Sequence, residues 1–290
     1  MEIRVLRYFL TVAREESITR AAEVLHITQP TLSRQLSQLE EETGVRLLER
    51  GPRRIRLTSE GMLLRRRAEE ILELVDKTEA ELSEQDELVV GRISIGCGEL
   101  ASVSLLPELF RSFRERHPRV GFDLYTATAD LVTEQMDRGL LDIGLLLEPV
   151  DIGKYEFIRL DIKERWVVLM RPDDPLASQE NVTAQDLLGR PLILPRRTSV
   201  RGELASWFGD DFEKLEIAAT FNLILNAANM VCNHVGVALG FLIGNLSDEL
   251  RFVPFSPVLE TGSVLVWKKD QTFSPAADCF LQVLKHTQQR

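Results

Sequence analysis

The stretch SITRAAEVLHITQPTLSRQLSQLEEETGVRLLERGPRRIRLT, residues 17–58, decides the fold of the N-terminal part of this 290-residue chain. After Ser17, apolar residues recur at spacings of three and four, which predicts a short helix with one buried face. These residues are Ile18, Ala21, Ala22 and Leu25. Thr28 is then a candidate N-cap for a second helix with Pro30 in its first turn, where a missing N–H costs nothing. Two short helices joined by a tight turn indicate a helix-turn-helix.

The second predicted helix has two different faces. Leu32, Leu36 and Leu39 form its buried face. The opposite face presents short or amide side chains, which can contact base edges and phosphates. These side chains are Gln29, Thr31, Ser33, Arg34, Gln35 and Gln38. All of these except Gln35, together with Thr28 and Pro30 at the start of the helix, are the candidate DNA-binding residues of this element.

Residues 45–58, VRLLERGPRRIRLT, predict two short strands around a Gly-Pro turn. Arginines concentrate at its tip, namely Arg50, Arg53, Arg54 and Arg56. We expect such a wing to lie over the DNA backbone, and Arg50, Arg53 and Arg54 therefore join the candidate DNA-binding residues.

The net charge of −10 is unevenly distributed along the chain. Residues 1–58 hold 10 arginines against 8 glutamates, a net charge of +2. Residues 59–90 and 91–290 each carry −6. Since only charges that touch phosphate release counter-ions, a basic N-terminal unit suffices for DNA binding, and the acidic remainder discourages indiscriminate binding.

Residues 1–90 resemble the winged helix-turn-helix and linker of LysR-type transcriptional regulators. The matching motifs, in order, are Ala21-Ala22, Gln29-Pro30, Ser33-Arg34, Leu39-Glu40 and Thr58-Ser59-Glu60-Gly61. In that family the residues resembling Gln29, Pro30, Ser33 and Arg34 enter the major groove, and the one resembling Arg53 belongs to the wing. The resemblance therefore implies a regulator that binds double-stranded DNA, with RNA polymerase as a further candidate partner.

Residues 59–90 predict one long linker helix that ends near Glu87. Apolar residues alternate at spacings of four and three, which is typical of the seam of a two-stranded coiled coil. The seam comprises Leu64, Ala68, Ile71, Val75, Thr78 and Leu82. We expect it to join two copies of the chain, in a homodimer or homotetramer, because paired helix-turn-helix units can bind an inverted repeat. The alternative is that the stripe packs on its own domain.

From residue 91 the pattern changes to alternating strands and helices, which predicts α/β lobes with a mostly parallel sheet. A second series of the same alternation begins near Ile162, and a final strand and helix return to the first lobe. We expect lobe I at about 91–161 plus 265–290 and lobe II at about 162–264. The expected fold class is an α+β multidomain chain with a winged helix-turn-helix (1–58), a linker helix (59–90) and two α/β lobes (91–290).

The second half resembles the effector-binding region of LysR-type regulators, which is similar to periplasmic solute-binding proteins. The resemblance rests on element order and on the strings LLPELFRSFRERHP (105–118), DRGLLDIGLLLEP (137–149) and GVALGFL (236–242). It implies a small-molecule effector between the lobes. By this resemblance, the candidate effector-binding residues are Glu99, Leu100, Ala101, Ser102, Thr128, Thr198, Ser199 and Val200. Asn222 joins them because it stands at the start of another predicted helix. The alternative for the Ser and Thr residues is ordinary helix capping without a ligand.

The predicted effector is a small anion or a zwitterion. Helix starts near Ser102 and Ser199 offer N–H groups to an anion, and Arg196, Arg197 and Arg201 add nearby positive charge. A carboxylate is therefore favoured. Glu99 would repel an anion unless it meets an arginine or an amine of the ligand, which keeps an amino acid as an alternative.

The motifs of the common enzyme classes are absent from the sequence: there is no GxSxG, no phosphate loop and no HExxH. Cys97, Cys232 and Cys279 form no CxxC pair, and we expect neither a metal site nor a cofactor. Cys97 is either a small buried residue or a redox sensor. Two alternative functions remain, a winged helix that binds only protein and an α/β enzyme fused to a helix-turn-helix.

Apolar runs fall short of the roughly 18 residues of a membrane-spanning helix, and the N-terminus lacks a signal-peptide cleavage pattern. We therefore expect a cytoplasmic protein without a membrane partner.

Overall fold

The computed structural model describes residues 1–50, 54–83, 89–151, 153–244 and 249–287, without the side chains of residues 50, 80–83, 286 and 287. The chain forms two compact units, Met1–Ser83 and Glu84–Arg290.

The N-terminal unit consists of four helices and a two-stranded antiparallel hairpin in its described residues. Their bounds are α1 Ile3–Glu15, α2 Ile18–Val24, α3 Gln29–Thr43, β1 Leu48–Arg50, β2 Ile55–Leu57 and α4 Ser59–Ser83. The helix-turn-helix and the wing predicted from the sequence are confirmed. Phe9 of α1 packs in one apolar cluster with Ala21 of α2 and with Leu32 and Leu36 of α3.

Local capping determines where α2 and α3 begin and end. The hydroxyl of Ser17 accepts the Arg20 N–H at 3.4 Å, and that of Thr28 accepts the Thr31 N–H at 3.4 Å. These bonds satisfy N–H groups that have no partner inside the helix. Gly44 ends α3 with φ of 71°, a left-handed conformation that glycine adopts without a steric penalty.

Two of the quoted motifs attach the wing to the helices. The Glu40 carboxylate accepts the N–H groups of Leu47 and Leu48 at 2.7 and 3.0 Å, which anchors the start of the hairpin on α3. Gly61 lies so close to the hairpin that an added Cβ would be 2.1 Å from the Leu47 carbonyl oxygen. Larger residues at position 61 would therefore push α4 away from the hairpin.

The second unit alternates strands and helices, as expected, around a mixed sheet. Its helices are α5 Leu105–Arg116, α6 Ala129–Asp137, α7 Ala184–Leu187, α8 Thr198–Phe208, α9 Ile224–Cys232 and α10 Pro275–Thr287. Its strands are β3 Gly91–Cys97, β4 Val120–Thr126, β5 Ile143–Leu147, β6 Tyr155–Met170, β7 Pro191–Pro195, β8 Glu216–Phe221, β9 Val237–Phe241, β10 Arg251–Pro254 and β11 Glu260–Lys268. Short 3-10 helices cover Ala101–Ser104, Pro175–Ser178 and Gly209–Lys214.

The expectation of a mostly parallel sheet is wrong. The strand order is β4-β3-β5-β11-β6-β9-β7-β8, with β10 also paired to β6. The outer pairs β3–β4, β3–β5, β7–β8 and β7–β9 are parallel, whereas every described pairing of β6 and β11 is antiparallel. We refer to the part built on β3–β5 as lobe I and to the part built on β7–β9 as lobe II.

The antiparallel centre arises because β6 and β11 connect the lobes in opposite directions. β6 is one continuous strand of 16 residues. Residues 155–165 of it pair with β11, and residues 166–170 pair with β9 and β10. The boundary between Asp161 and Ile162 expected from the sequence falls inside this strand. The domain bounds themselves remain a prediction.

Each lobe has its own apolar core. In lobe I, the Phe110 and Phe122 rings stack with centroids 4.0 Å apart beside Phe280 of α10. In lobe II, Trp166 packs against Phe241 and Phe255. Among the described helices, none is long and apolar enough to cross a membrane.

Candidate functional sites

The outward face of α3 carries most of the residues predicted to bind DNA. Thr28, Gln29, Pro30, Thr31, Arg34 and Gln38 are exposed, and Ser33 is half-buried. The Gln38 amide bonds to Glu42 at 3.2 Å, whereas the Arg34 guanidinium forms no ion pair within the described residues. Arg34 is therefore a cation available to a phosphate or to a guanine edge.

The wing pairs Leu48 with Leu57 and Arg50 with Ile55 in an antiparallel register. Next to the turn of the wing, Arg54 Nη1 lies 3.4 Å from Glu16 Oε2, with both side chains more than half exposed. Such an exposed pair contributes at most about 1 kcal/mol, so DNA phosphate can compete for Arg54. The predicted contacts of Arg53 and of the Arg50 side chain lie outside the described residues.

The predicted coiled-coil seam on α4 needs a correction. Ala68 is 0% exposed and Leu64 packs on the apolar cluster of its own unit, because the first turns of α4 lie against α1. Ala68 therefore cannot also contact a partner, and the half-buried Leu64 spends part of its surface within its own unit. Val75 is half-buried, Ile71 and Thr78 are exposed, and the Leu82 side chain lies outside the described residues.

A cavity of about 220 Å³ lies between lobes I and II, at the ends of β3, β4, β7 and β8. Five residues predicted for the effector site line it, namely Glu99, Leu100, Thr128, Val200 and Asn222. Most of the remaining lining is apolar and includes Leu146, Phe221 and Phe241. A concave, mostly apolar space with a few polar groups is typical of a small-molecule site.

Four predicted residues do not line the cavity, namely Ala101, Ser102, Thr198 and Ser199. Ser102 is fully buried, and the N–H groups of Ala101 and Ser102 donate to the Glu164 carboxylate at 2.7 and 3.0 Å. Glu164, on β6, is itself 0% exposed. This helix start is therefore already occupied by a carboxylate of the chain, and the predicted anion position near Ser102 is wrong.

Polar contacts cross the cavity from one lobe to the other. The Glu99 carboxylate of lobe I accepts the N–H of Ile224 at the start of α9 in lobe II. In the opposite direction, Nε and Nη2 of Arg197 lie 3.2 Å from Asp130 Oδ1. Sequence reasoning named Arg197 as nearby charge but missed Asp130, Ile224 and Glu164, because their partners are distant in the sequence.

The thiol of Cys97 lies just behind the cavity, at the end of β3. Burial raises its pKa, the hydrogen bond to Thr126 Oγ1 at 3.8 Å lowers it, and the Glu99 carboxylate raises it again. Since the thiolate is the reactive form, this environment favours a structural thiol. Among the described residues, no group of three His, Cys, Asp or Glu side chains could hold a metal ion.

Comparison with known families covers both units. Residues 3–62 match the family described as "Bacterial regulatory helix-turn-helix protein, lysR family", and residues 86–289 match the LysR substrate binding domain. The chain belongs to the LysR family of transcriptional regulators. It is therefore a DNA-binding transcriptional regulator whose second unit binds a small-molecule effector.

Individual LysR-type relatives match from about two thirds to nearly all of the chain. The Hca operon transcriptional activator HcaR of Escherichia coli (strain K12) is 32% identical, over 98% of this chain and 97% of HcaR. The regulator BenM of Acinetobacter baylyi is 34% identical, over 67% of this chain and 64% of BenM. The crystal structure of full-length CbnR with its target DNA superposes with a TM-score of 0.77 at 22% identity, covering 99% of this chain and 100% of CbnR. That structure establishes the likeness of fold.

The LysR family gives the two sites their general roles. Regulators of this family bind DNA, bind small-molecule effectors in the substrate-binding domain, and oligomerise. The α3 face and the wing are the candidates for the first role, and the cavity between the lobes is the candidate for the second.

Proposed function

We propose that this LysR-type regulator binds its operator through α3 and the β1–β2 wing and responds to an effector bound between lobes I and II. The observation that supports DNA binding most directly is the exposed polar face of α3. Its buried face is anchored by Leu32 and Leu36, and Thr28 fixes its start, so that Arg34 is presented on a rigid element. Rigid presentation favours bidentate contacts with a guanine edge.

An operator selected from a random pool of duplex DNA provides the test for α3. Arg34→Ala should weaken binding by roughly 1–3 kcal/mol and relax the preference for one base pair. Arg54→Ala should weaken binding to all sequences alike and reduce the salt slope by about 1. Arg111→Ala on α5 is the control, because it removes an exposed arginine from the second unit. An unchanged footprint for Arg34→Ala would contradict the assignment.

The rival function is a winged helix that binds only protein. Such a module should pass through a column of mixed-sequence DNA at low salt, whereas we expect the full chain to be retained. Raising the salt concentration should elute the chain, because phosphate contacts release counter-ions and DNA affinity therefore falls with salt.

For self-association we propose the solvent-facing side of α4. Leu63, Ile71 and Leu74 are 54%, 38% and 43% exposed. With 3.6 residues per turn they lie within about 80° of one another around the helix, which makes one apolar stripe. Ile71 belonged to the seam predicted from the sequence, and Leu63 and Leu74 replace Leu64 and Ala68, which pack within their own unit.

We further propose that the effector is bound without being chemically converted and that the protein acts in the cytoplasm. Membership in a family of DNA-binding regulators supports both statements. Recovery of the bound effector unchanged after prolonged incubation with the full chain is the expected result.

A further inference from the structure

The side chain of Glu99 performs a task that sequence reasoning did not assign to it. Glu99 follows β3 in lobe I, and its Oε2 accepts the N–H of Ile224, which lies 125 residues later and begins α9 of lobe II. The N-cap position of α9 is Leu223, which has no side chain that could accept this hydrogen bond. A carboxylate from one lobe therefore caps a helix of the other lobe across the cavity.

This contact changes which ligands the cavity can hold. The first turn of a helix attracts anions through its free N–H groups and its dipole. At α9 that position is already filled by Glu99, just as Glu164 fills the helix start at Ala101 and Ser102. A ligand carboxylate at α9 would have to displace Glu99 and would remain close to its charge, which is unfavourable.

Arg197 supplies a positively charged group that can bind an acceptor of the ligand. Its Nε and Nη2 are held by Asp130, and Nη2 also lies 3.5 Å from the Pro149 carbonyl oxygen. Its Nη1 is buried and has no hydrogen-bond partner among the described residues. Since a buried donor without a partner costs free energy, this N–H favours a ligand that brings an acceptor.

The charges along the cavity balance. Glu99 and Asp130 contribute two negative charges, Arg196 and Arg197 contribute two positive ones, and most of the other lining residues are apolar. A ligand with only one charged group would pair with either the acidic or the basic residues and leave the others without a ligand partner. A zwitterion with an apolar side chain matches both the charges and the apolar lining.

We propose that Glu99 is the specificity-determining residue of this cavity: it selects effectors with a protonated amine, whose carboxylate binds Arg197, as in an apolar α-amino acid. Glu99 excludes a carboxylate from α9 and offers an acceptor to the amine. This inference rests on the proposed binding of an effector between the lobes, and it names the chemical class of that effector.

The test compares matched probes on the full-length protein by isothermal titration calorimetry. The amino acids are leucine, valine, methionine and phenylalanine. For each of them, three separate titrations use the amino acid itself, the matching acid that lacks the amine, and the matching amine that lacks the carboxylate. Wild type should bind at least one of these amino acids, and should bind its acid and its amine about 10–100-fold more weakly, since a hydrogen bond to a charged group is lost in each case.

Two variants connect this preference to Glu99. Glu99→Gln keeps the size of the side chain and an oxygen for the Ile224 N–H, but it should weaken amino-acid binding about 10–100-fold and bring the acid close to the amino acid in affinity. Glu108→Gln, an exposed carboxylate at the start of α5, is the matched control and should leave both affinities unchanged. Glu99→Ala should speed hydrogen exchange of the Ile224 amide in the ligand-free protein.

Several results would overturn the proposal. They are an acid that binds wild type as tightly as its amino acid, a Glu99→Gln variant with unchanged preference, failure of all four amino acids to bind, or unchanged exchange at Ile224 in Glu99→Ala. If a simple acid binds and alters operator affinity, the cavity is an effector site and only the role of Glu99 is wrong. If an amino acid binds as expected but leaves operator affinity unchanged, the role of Glu99 holds and the proposed regulation is wrong.

Discussion

Replacing Glu164 tests whether a buried carboxylate closes the helix start that the sequence offered to an anion. Glu164 is 0% exposed, and within the described residues its carboxylate accepts the N–H groups of Ala101 and Ser102. Glu164→Ala leaves both without an acceptor. A buried N–H without a partner costs about 1–3 kcal/mol, and the half-buried Ala101 N–H counts for less, so we expect a loss of about 2–4 kcal/mol. The amide oxygen of Glu164→Gln can accept one of the two N–H groups, so this variant should lose about half as much free energy of unfolding.

Tryptophan fluorescence during urea unfolding is a suitable assay, because all three tryptophans, Trp166, Trp207 and Trp267, lie in the second unit. With a urea dependence of about 2 kcal/mol per M, the midpoint of Glu164→Ala should fall by about 1–2 M. Glu260→Gln on β11 is the control, because Glu260 is 36% exposed and pairs with Arg165 at 3.0 Å. Exposed pairs contribute at most about 1 kcal/mol, so that midpoint should move by less than about 0.5 M.

Equal midpoints for Glu164→Ala and Glu260→Gln would refute the reasoning. In that case the N–H groups of Ala101 and Ser102 would not depend on Glu164, and this helix start would again be open to a ligand carboxylate.

Three further predictions concern other groups of the chain. Ile71→Asp combined with Leu74→Asp should give smaller species in sedimentation, because both charges fall on the exposed stripe of α4, and an unchanged assembly would place the contact elsewhere. Burial raises the pKa of Tyr155 to about 12. Its contribution to stability is therefore present below its ordinary pKa near 10 and lost as pH rises through about 12, and Tyr155→Phe should flatten that loss in urea midpoints. Burial also raises the pKa of the Cys97 thiol, so iodoacetamide should modify Cys97 more slowly in the native than in the unfolded chain, as measured by mass spectrometry.

The N-terminal unit was predictable because its determinants are local. The N-cap of α3, its apolar face and the hairpin are each encoded within a few residues, as the Thr28–Thr31 bond illustrates. The long helix was also predictable, but its partner was not. A stripe at Leu64 and Ala68 indicates that one face is buried, and the same spacing serves contact with α1 as well as contact with a second copy.

In the second unit, the sequence indicated the alternation of strands and helices but not the directions of the strands. Direction follows from how the chain returns to the sheet, and β11 pairs with β5 and β6, which lie roughly a hundred residues earlier. The continuous course of β6 through both lobes was also hidden, because a strand of 16 residues that pairs in two lobes has no distinct local pattern.

The candidate effector residues show why a site can be located by resemblance while its chemistry is not. Resemblance placed Glu99, Thr128 and Val200 correctly on the cavity, since these positions depend on element order. The chemistry depends on which groups reach the helix starts from elsewhere, and here carboxylates more than 60 residues away along the chain do so at Ala101 and at Ile224. A helix start is an anion site only while the protein leaves it empty, so regulators with the same fold can select ligands of opposite charge by moving one carboxylate. The ligand class of such a cavity is therefore best inferred from the polar groups that the fold leaves without a partner, which in this chain is Nη1 of Arg197 among the described residues that line it.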